Sequence, residues 1–220
     1  SRKTTDCEPM RPPCRDGSSL NEPLELADLP LGHKWDGRIA YLDRDGVLNS
    51  GSSEYINSPE EVKLLPGAAN AVAELRRSGF RICIVTNQSP IGRGHWGHER
   101  LGAIHDRLRS VLLEGDDDAV IDLILYSPYA PWEGSWARKP NPGMLEAGRQ
   151  LFEAVGNDEP IQILYGSDWS DRPSEEDSIM VGDRSSDIDA GGSFGVHSIR
   201  CDPQVGLSGV IDEIIGDGDV

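Results

Sequence analysis

From Arg38 onward the chain alternates short apolar runs with stretches of helical periodicity, and this alternation limits the possible folds more than any other feature. Runs that are apolar on both faces belong to a buried parallel sheet, whose strands need crossovers long enough to hold a helix. The strand candidates are Ile39-Ala40-Tyr41-Leu42, Arg81-Ile82-Cys83-Ile84-Val85, Ile121 to Tyr126, Ser178-Ile179-Met180-Val181 and Val196-His197-Ser198-Ile199. Helices are expected after Gly67, with Ala68, Val72 and Leu75 inward, and over about 97–113, with Leu101, Ile104, Leu108, Val111 and Leu112 inward. Two more are expected, one opened by Pro142 with Met144, Leu145, Leu151, Phe152 and Val155 inward, and a short one at roughly 208–215. The fold class is therefore α/β, a three-layer α/β/α arrangement of Rossmann type around a mainly parallel sheet.

Two segments fall outside the pattern. Residues 1–36 are rich in Pro, Ser and charge without periodicity, so they read as an irregular or partly disordered arm before a domain at 37–220. The first residue, Ser rather than Met, points to a trimmed end. An insertion at about 160–177 begins with Ile161-Gln162-Ile163-Leu164-Tyr165-Gly166, which reads as an extra edge strand with a surface excursion, or as a partner or substrate contact.

Charge and cysteine content narrow the functions. With 21 Lys and Arg against 38 Asp and Glu, the net charge of −17 repels nucleic acid and anionic membrane surfaces. No apolar run approaches the ~18 residues of a membrane span and no secretory apolar region opens the chain, so a soluble cytoplasmic protein is expected. Four cysteines make no disulfide framework; Cys83 reads as a core thiol, and Cys7 and Cys14, free to pair, are too few for a zinc site.

Ligands of open parallel sheets sit at the carboxyl ends of the strands. Three polar clusters follow apolar runs there: Asp43-Arg44-Asp45-Gly46-Val47, Thr86-Asn87-Gln88-Ser89 and Gly182-Asp183-Arg184-Ser185-Ser186-Asp187. A fourth, Arg138-Lys139-Pro140, precedes a helix. Together they suit phosphoryl transfer through an aspartyl intermediate. Asp43 can attack phosphorus as a carboxylate, and Asp45 can protonate the leaving oxygen and later deprotonate water. Two carboxylates beside a phosphate dianion repel, at about 4 kcal/mol per like pair at ~4 Å and an effective dielectric near 20, so a cation is needed. Asp43, the main-chain carbonyl of Asp45 and Asp183 form an oxygen-only set suited to Mg²⁺. Lys139 and the Thr86 hydroxyl would hold the phosphoryl oxygens, and Arg138 a distal anionic group. Asp187 would touch a metal-bound water or fix Lys139, and Asn87 and Gln88 would meet substrate or only brace their loop.

These segments resemble the haloacid dehalogenase superfamily of aspartate-nucleophile phosphatases, in the branch of the heptose bisphosphate and histidinol-phosphate phosphatases. The resemblance runs from about Arg38 to Cys201 and rests on Asp43-Arg44-Asp45-Gly46-Val47-Leu48-Asn49, Leu64-Leu65-Pro66-Gly67-Ala68, Thr86 through Gly94, Arg138 through Met144, and Val181-Gly182-Asp183. It implies Asp43 as nucleophile, Asp45 as acid/base, Thr86 and Lys139 as phosphoryl stabilisers, and Mg²⁺ on Asp43, Asp45 and Asp183. Asn87, Gln88, Ser89, Arg93, Arg138 and Arg184 are carried as substrate-binding residues. The implied substrate is a small phosphorylated sugar, preferentially D-glycero-D-manno-heptose 1,7-bisphosphate with its distal phosphate near Arg93, Arg138 and Arg184. Histidinol phosphate is the alternative, and a non-catalytic sugar-phosphate binder the alternative of a different class. A phosphatase of nucleic-acid ends is disfavoured by charge. A monomer or small homo-oligomer is expected.

The chain departs from the branch in three places, one of them the segment from about Ile161 to Asp177, which is longer than the branch implies. Tyr126 to Ala137 contains neither Cys nor His where the branch carries a zinc loop, so zinc is not expected, and Pro90 replaces a glycine. About 18 residues separate Asp45 from Leu64, too few for a separate cap domain. Specificity would then come from the loops Asn49 to Asn57, Pro90 to His98 and Tyr126 to Ala137.

Overall fold

The computed structural model describes residues 11–216. In chain order the elements are β1 (Cys14–Arg15), β2 (Ile39–Leu42), α1 (Ala68–Arg77), β3 (Arg81–Asn87), α2 (His98–Gly115), β4 (Leu123–Ser127), α3 (Gly143–Glu153), β5 (Ile179–Gly182), α4 (Ser185–Phe194), β6 (His197–Arg200) and α5 (Ile211–Ile215). The strands form one sheet in the order β1-β4-β3-β2-β5-β6, and every pairing except β1 with β4 is parallel. In register, Ala40 lies between Ile82 and Ile179.

Side-chain alternation along the strands creates two cores. Ala40, Leu42, Ile82, Ile84 and Val181 pack with Val72 and Leu75 of α1, Ile104 and Leu108 of α2 and Ile211 of α5. Tyr41, Cys83, Val85 and Met180 face the opposite way, onto Leu145, Leu151 and Phe152 of α3 and Phe194 of α4. This is the three-layer α/β/α arrangement read from the alternation. The chain proceeds from β2 outward through β3 and β4, then returns to β5 on the other side of β2. That reversal leaves a crevice at the carboxyl end of β2, where the Asp43 amide continues the ladder to β5 by donating to the Val181 carbonyl (3.0 Å). Among the described residues, the stretch from Gly46 to Lys63 holds a 3-10 turn at Pro59–Glu61 and single bridges from Asn49 to Asp45 and Leu64, with no cap domain.

Several local expectations are corrected. The arm, read as irregular, contributes β1, which pairs antiparallel with β4 through Cys14 and Tyr126. It also buries Leu24 and Leu29. A two-residue strand carries no period for a sequence reading to detect, and the edge of β4 supplies its partner. The segment from Ile161 to Gly166 is not a strand. Its backbone is held piecemeal instead: Gln150 bonds both the amide and the carbonyl of Leu164 (2.9 and 2.8 Å), the Asn21 side chain donates to the Ile161 carbonyl (2.7 Å), and the Ile161 amide donates to the Asn21 carbonyl (3.0 Å). Further along the insertion, Glu175 is buried in a two-pronged pair with Arg149 (2.5 and 2.8 Å). Val155, expected inward, lies beyond the end of α3 and is exposed.

Cys83 is a buried thiol whose pKa burial pushes up, and among the described residues Cys14, Cys83 and Cys201 form no disulfide. Cys7 and the acidic last four residues lie outside the described residues. Among the described residues no helix is long and apolar enough to cross a membrane.

Candidate active site

The loop after β2 places the first cluster. The Arg44 carbonyl accepts from the amides of Val47 and Leu48 (3.3 and 2.9 Å), which winds a tight turn at the strand tip. Gly46 within it has a φ of 80°, and a Cβ there would lie 2.5 Å from Asp183 Oδ2. Only glycine satisfies both conditions. Gly46→Ala is expected to lose about 1–2 kcal/mol from the left-handed backbone alone. The same change would displace the Asp183 carboxylate. Thermal unfolding checks the loss, and a parental Tm would refute it.

Asp43 is buried at the base of the crevice. Lys139, arriving from the segment before α3, spends its three ammonium donors on Asp43 Oδ1 (3.0 Å), Asp187 Oδ1 (2.5 Å) and the Val85 carbonyl (2.7 Å). Its main chain is fixed as firmly. Asn87 Nδ2 donates to the Lys139 carbonyl, and the Lys139 amide donates to Asn87 Oδ1, both at 3.0 Å. Asp187 accepts the Arg184 amide on Oδ2 (3.1 Å), so both of its oxygens are committed. Of the two roles left open for Asp187, the geometry displays the contact that fixes Lys139.

Burial pushes the Asp43 carboxyl up to about 7; Lys139 opposes this, while Asp187 and Asp45 add to it. Asp183 is also raised, by burial and then by Asp187. Carboxylate oxygens of Asp43, Asp183 and Asp187 lie within 4.8 Å of one another, and Asp183 Oδ1 is buried without a partner. A buried anionic oxygen with no donor among the described residues, in an all-oxygen cluster where Asp187 raises both Asp43 and Asp183, fits a hard divalent cation such as Mg²⁺.

The Asp45 side chain stands apart from that cluster. Arg44 grips it in a fork, Nε to Oδ1 (3.0 Å) and Nη2 to Oδ2 (3.2 Å), and Asn49 Nδ2 donates to Oδ1 (2.9 Å). Burial pushes this carboxyl up, but Arg44 and Asn49 outweigh burial and hold it below the usual range. Any contact of Asp45 with a metal held by Asp43 and Asp183 would come from its main chain.

Above these groups opens a cavity of about 950 Å³. Thr86, at the end of β3, is buried, and its hydroxyl accepts from Gln88 Nε2 (2.9 Å). Ser89 Oγ accepts from Arg93 Nε (3.1 Å), and the Arg93 guanidinium stacks 4.9 Å from the Trp132 ring centre. Arg93, Arg138 and Arg184 all line the cavity. Burial lowers the Arg138 pKa, and the neighbouring charges of Arg93 and Arg184 lower it further, the signature of converging like charges.

All the sequence-predicted residues therefore reach one cavity, except that the amides of Asn87 and Gln88 are turned to Lys139 and Thr86. Arg44 and Asn49 were missed as contributors. Arg44 had a signal, since a guanidinium between two aspartates must pair with one of them.

Comparisons with known proteins agree with the geometry. The haloacid dehalogenase-like hydrolase family matches residues 26–195. The chain is 42% identical, over 53% of its length and 65% of the relative's, to the D-glycero-beta-D-manno-heptose-1,7-bisphosphate 7-phosphatase of Pseudomonas putida. The match thus spans just under two thirds of that protein. To the D-glycero-D-manno-heptose-1,7-bisphosphate 7-phosphatase of Thermosynechococcus vestitus it is 33% identical, over 72% of this chain and 76% of the relative. The crystal structure of the D,D-heptose 1,7-bisphosphate phosphatase of B. bronchiseptica, complexed with magnesium and phosphate, superposes with a TM-score of 0.62 at 25% identity, covering 80% of this chain and 99% of the other. With the aspartates, the lysine and the sheet that carries them already in place, the family match over most of the chain makes this protein a member of the haloacid dehalogenase-like hydrolases.

Proposed function

We propose that the protein is a Mg²⁺-dependent phosphomonoesterase that removes one phosphate from D-glycero-D-manno-heptose 1,7-bisphosphate. The observation that carries the chemistry is buried Asp43 beside Lys139, with the partnerless Asp183 oxygen close by. Asp43 attacks phosphorus, forming a carboxyl-phosphate bond as the bond to the sugar oxygen breaks. Asp45 gives its proton to that oxygen; the incoming phosphate, a like charge, raises its pKa from the low resting position toward the range where it carries one. Water then attacks the aspartyl phosphate, Asp45 takes its proton, and Asp43 and inorganic phosphate are released. Mg²⁺ held by Asp43, Asp183 and the main-chain carbonyl of Asp45 would supply positive charge beside the phosphoryl oxygens. Lys139 and the Thr86 hydroxyl hold those oxygens from the protein side.

The converging Arg93, Arg138 and Arg184 support a substrate with a second anionic group, and a heptose bisphosphate has one. The names of the relatives favour the same substrate over histidinol phosphate. Zinc has no part in this reading, because the segment 126–137 offers no thiol or imidazole. The net charge of −17 supports a small diffusible substrate rather than nucleic acid or membrane, handled in the cytoplasm by a monomer or small homo-oligomer.

Phosphate release from both anomers of the heptose bisphosphate, histidinol phosphate and hexose monophosphates, each with Mg²⁺ or with chelator, tests the proposal. The bisphosphate should be preferred, and chelator should abolish turnover. Arg138→Ala should raise KM for the bisphosphate about tenfold while changing it little for monophosphates, the loss of one charged hydrogen bond. Preference for histidinol phosphate would overturn the substrate, and full turnover in chelator the mechanism.

A further inference from the structure

The residues that hold Asp45 do not end at Arg44. Arg44 is buried, and its Nη1 lies 3.1 Å from Nε2 of His105 on α2. His105 is itself buried, and its Nδ1 lies 3.1 Å from Asp16 Oδ1. Asp16 belongs to the arm; it directly follows β1, and its amide bonds the Ile124 carbonyl (3.0 Å). Its other oxygen accepts from Arg109 (2.6 Å). The chemistry of the donors assigns each proton. A guanidinium only donates, so His105 Nε2 must accept, which leaves the ring neutral with its proton on Nδ1, donated to Asp16. A continuous line of hydrogen bonds, Asp16 to His105 to Arg44 to Asp45, therefore joins the sheet edge to the lining of the cavity.

We propose that Asp16 and His105 are positioning residues for proton transfer: through Arg44 they set where the Asp45 carboxylate stands, so that the N-terminal arm takes part in the reaction. This inference rests on the acid/base role given to Asp45 above. Arg44 is long and rotamer-rich, and two of its nitrogens already grip Asp45. His105 restrains the third, and Asp16 holds the imidazole in the one tautomer that can do so. Loss of either frees the fork to turn and carries Asp45 with it. Proton transfer depends on heavy-atom reach, so a displaced acid loses rate without leaving the site.

The alternative is an ion cluster that merely fastens the arm to the sheet. The two are separated by kcat/KM for benzyl phosphate, whose alkoxide needs a proton to leave, relative to para-nitrophenyl phosphate, whose phenolate does not. Because kcat/KM reports only steps through departure of the alcohol, water attack does not enter. The ratio of the two values also cancels any loss of folded enzyme. Asp45→Asn should lower the benzyl-to-nitrophenyl ratio about a hundredfold. Asp16→Ala and His105→Leu should lower it about tenfold, and His105→Gln, whose amide oxygen can still accept from Arg44, should recover most of the loss. Asp16→Ala, at the sheet edge, decides the matter if His105→Leu does not fold. A parental ratio in Asp16→Ala, with Asp45→Asn lowered, overturns the inference and leaves the mechanism standing. A parental ratio in Asp45→Asn overturns the acid/base reading and the inference with it.

Discussion

Asp43→Asn is expected to abolish phosphate release, by at least about 10⁴-fold in kcat, while leaving the protein as stable as the parent or more so. The activity loss follows from chemistry. An amide cannot form the carboxyl-phosphate bond, and two of the neighbouring carboxylates are already engaged. Asp187 has both oxygens committed and Asp45 is held in the Arg44 fork. The stability follows from charge. Asp43 is buried beside two other acids, and its carboxyl is already pushed up to about 7, so the ionised form is not comfortable there. Asparagine keeps an oxygen for Lys139 and removes one of three crowded charges. Phosphate release with para-nitrophenyl phosphate and thermal unfolding in chelator measure the two effects. Turnover near the parental rate would end the nucleophile assignment, and a clear fall in Tm would mean that the carboxylate serves the fold.

Lys139→Met is expected to fail in both respects. The lysine is 3% exposed and is the cation between Asp43 and Asp187. Both acids hold its pKa up in spite of the burial that pulls it down. Removing one member of such a buried set strands the remaining charges, a loss of about 3–5 kcal/mol. Methionine fills much the same space, so little of the loss would come from a cavity. Urea unfolding in chelator should show a midpoint well below the parent's. Mg²⁺ should then restore more stability to the variant than to the parent, because the ion becomes the only positive charge among the three acids. Equal midpoints in chelator would show that the acids are protonated when the lysine is gone. Phosphate release should fall by orders of magnitude, since the positive charge over the transferring group is lost.

The sequence was legible where one physical rule dominated. Parallel strands buried on both faces announce themselves as apolar runs, and polar clusters directly after them lie at one end of the sheet whatever the details of packing. Asp43, Thr86 and Asp183 were placed by that rule alone. Lys139 follows no strand, yet the Arg-Lys-Pro segment before a helix was enough to bring it to the site. Side-chain direction was less legible. Asn87 and Gln88 stand in the right loop, but their amides serve Lys139 and Thr86, because buried polar backbone and hydroxyl groups must be satisfied before any substrate arrives. The run from Ile161 to Gly166 has strand composition. It remains irregular because Gln150 and Asn21 satisfy its backbone without a partner strand.

What the sequence determined by itself is the doubly wound sheet, the end of it that carries chemistry, and the residue types gathered there, since each follows from local periodicity and from strand ends that fall on one side. What only the tertiary structure decided is how those residues are held: Asp187 spent on Lys139, Arg44 turned back onto Asp45, and an arm without periodicity bringing Asp16 to His105, whose ring lies in an apolar helix face. These contacts join residues far apart in the chain, and a hydrogen bond between them depends on packing distances that no local pattern encodes.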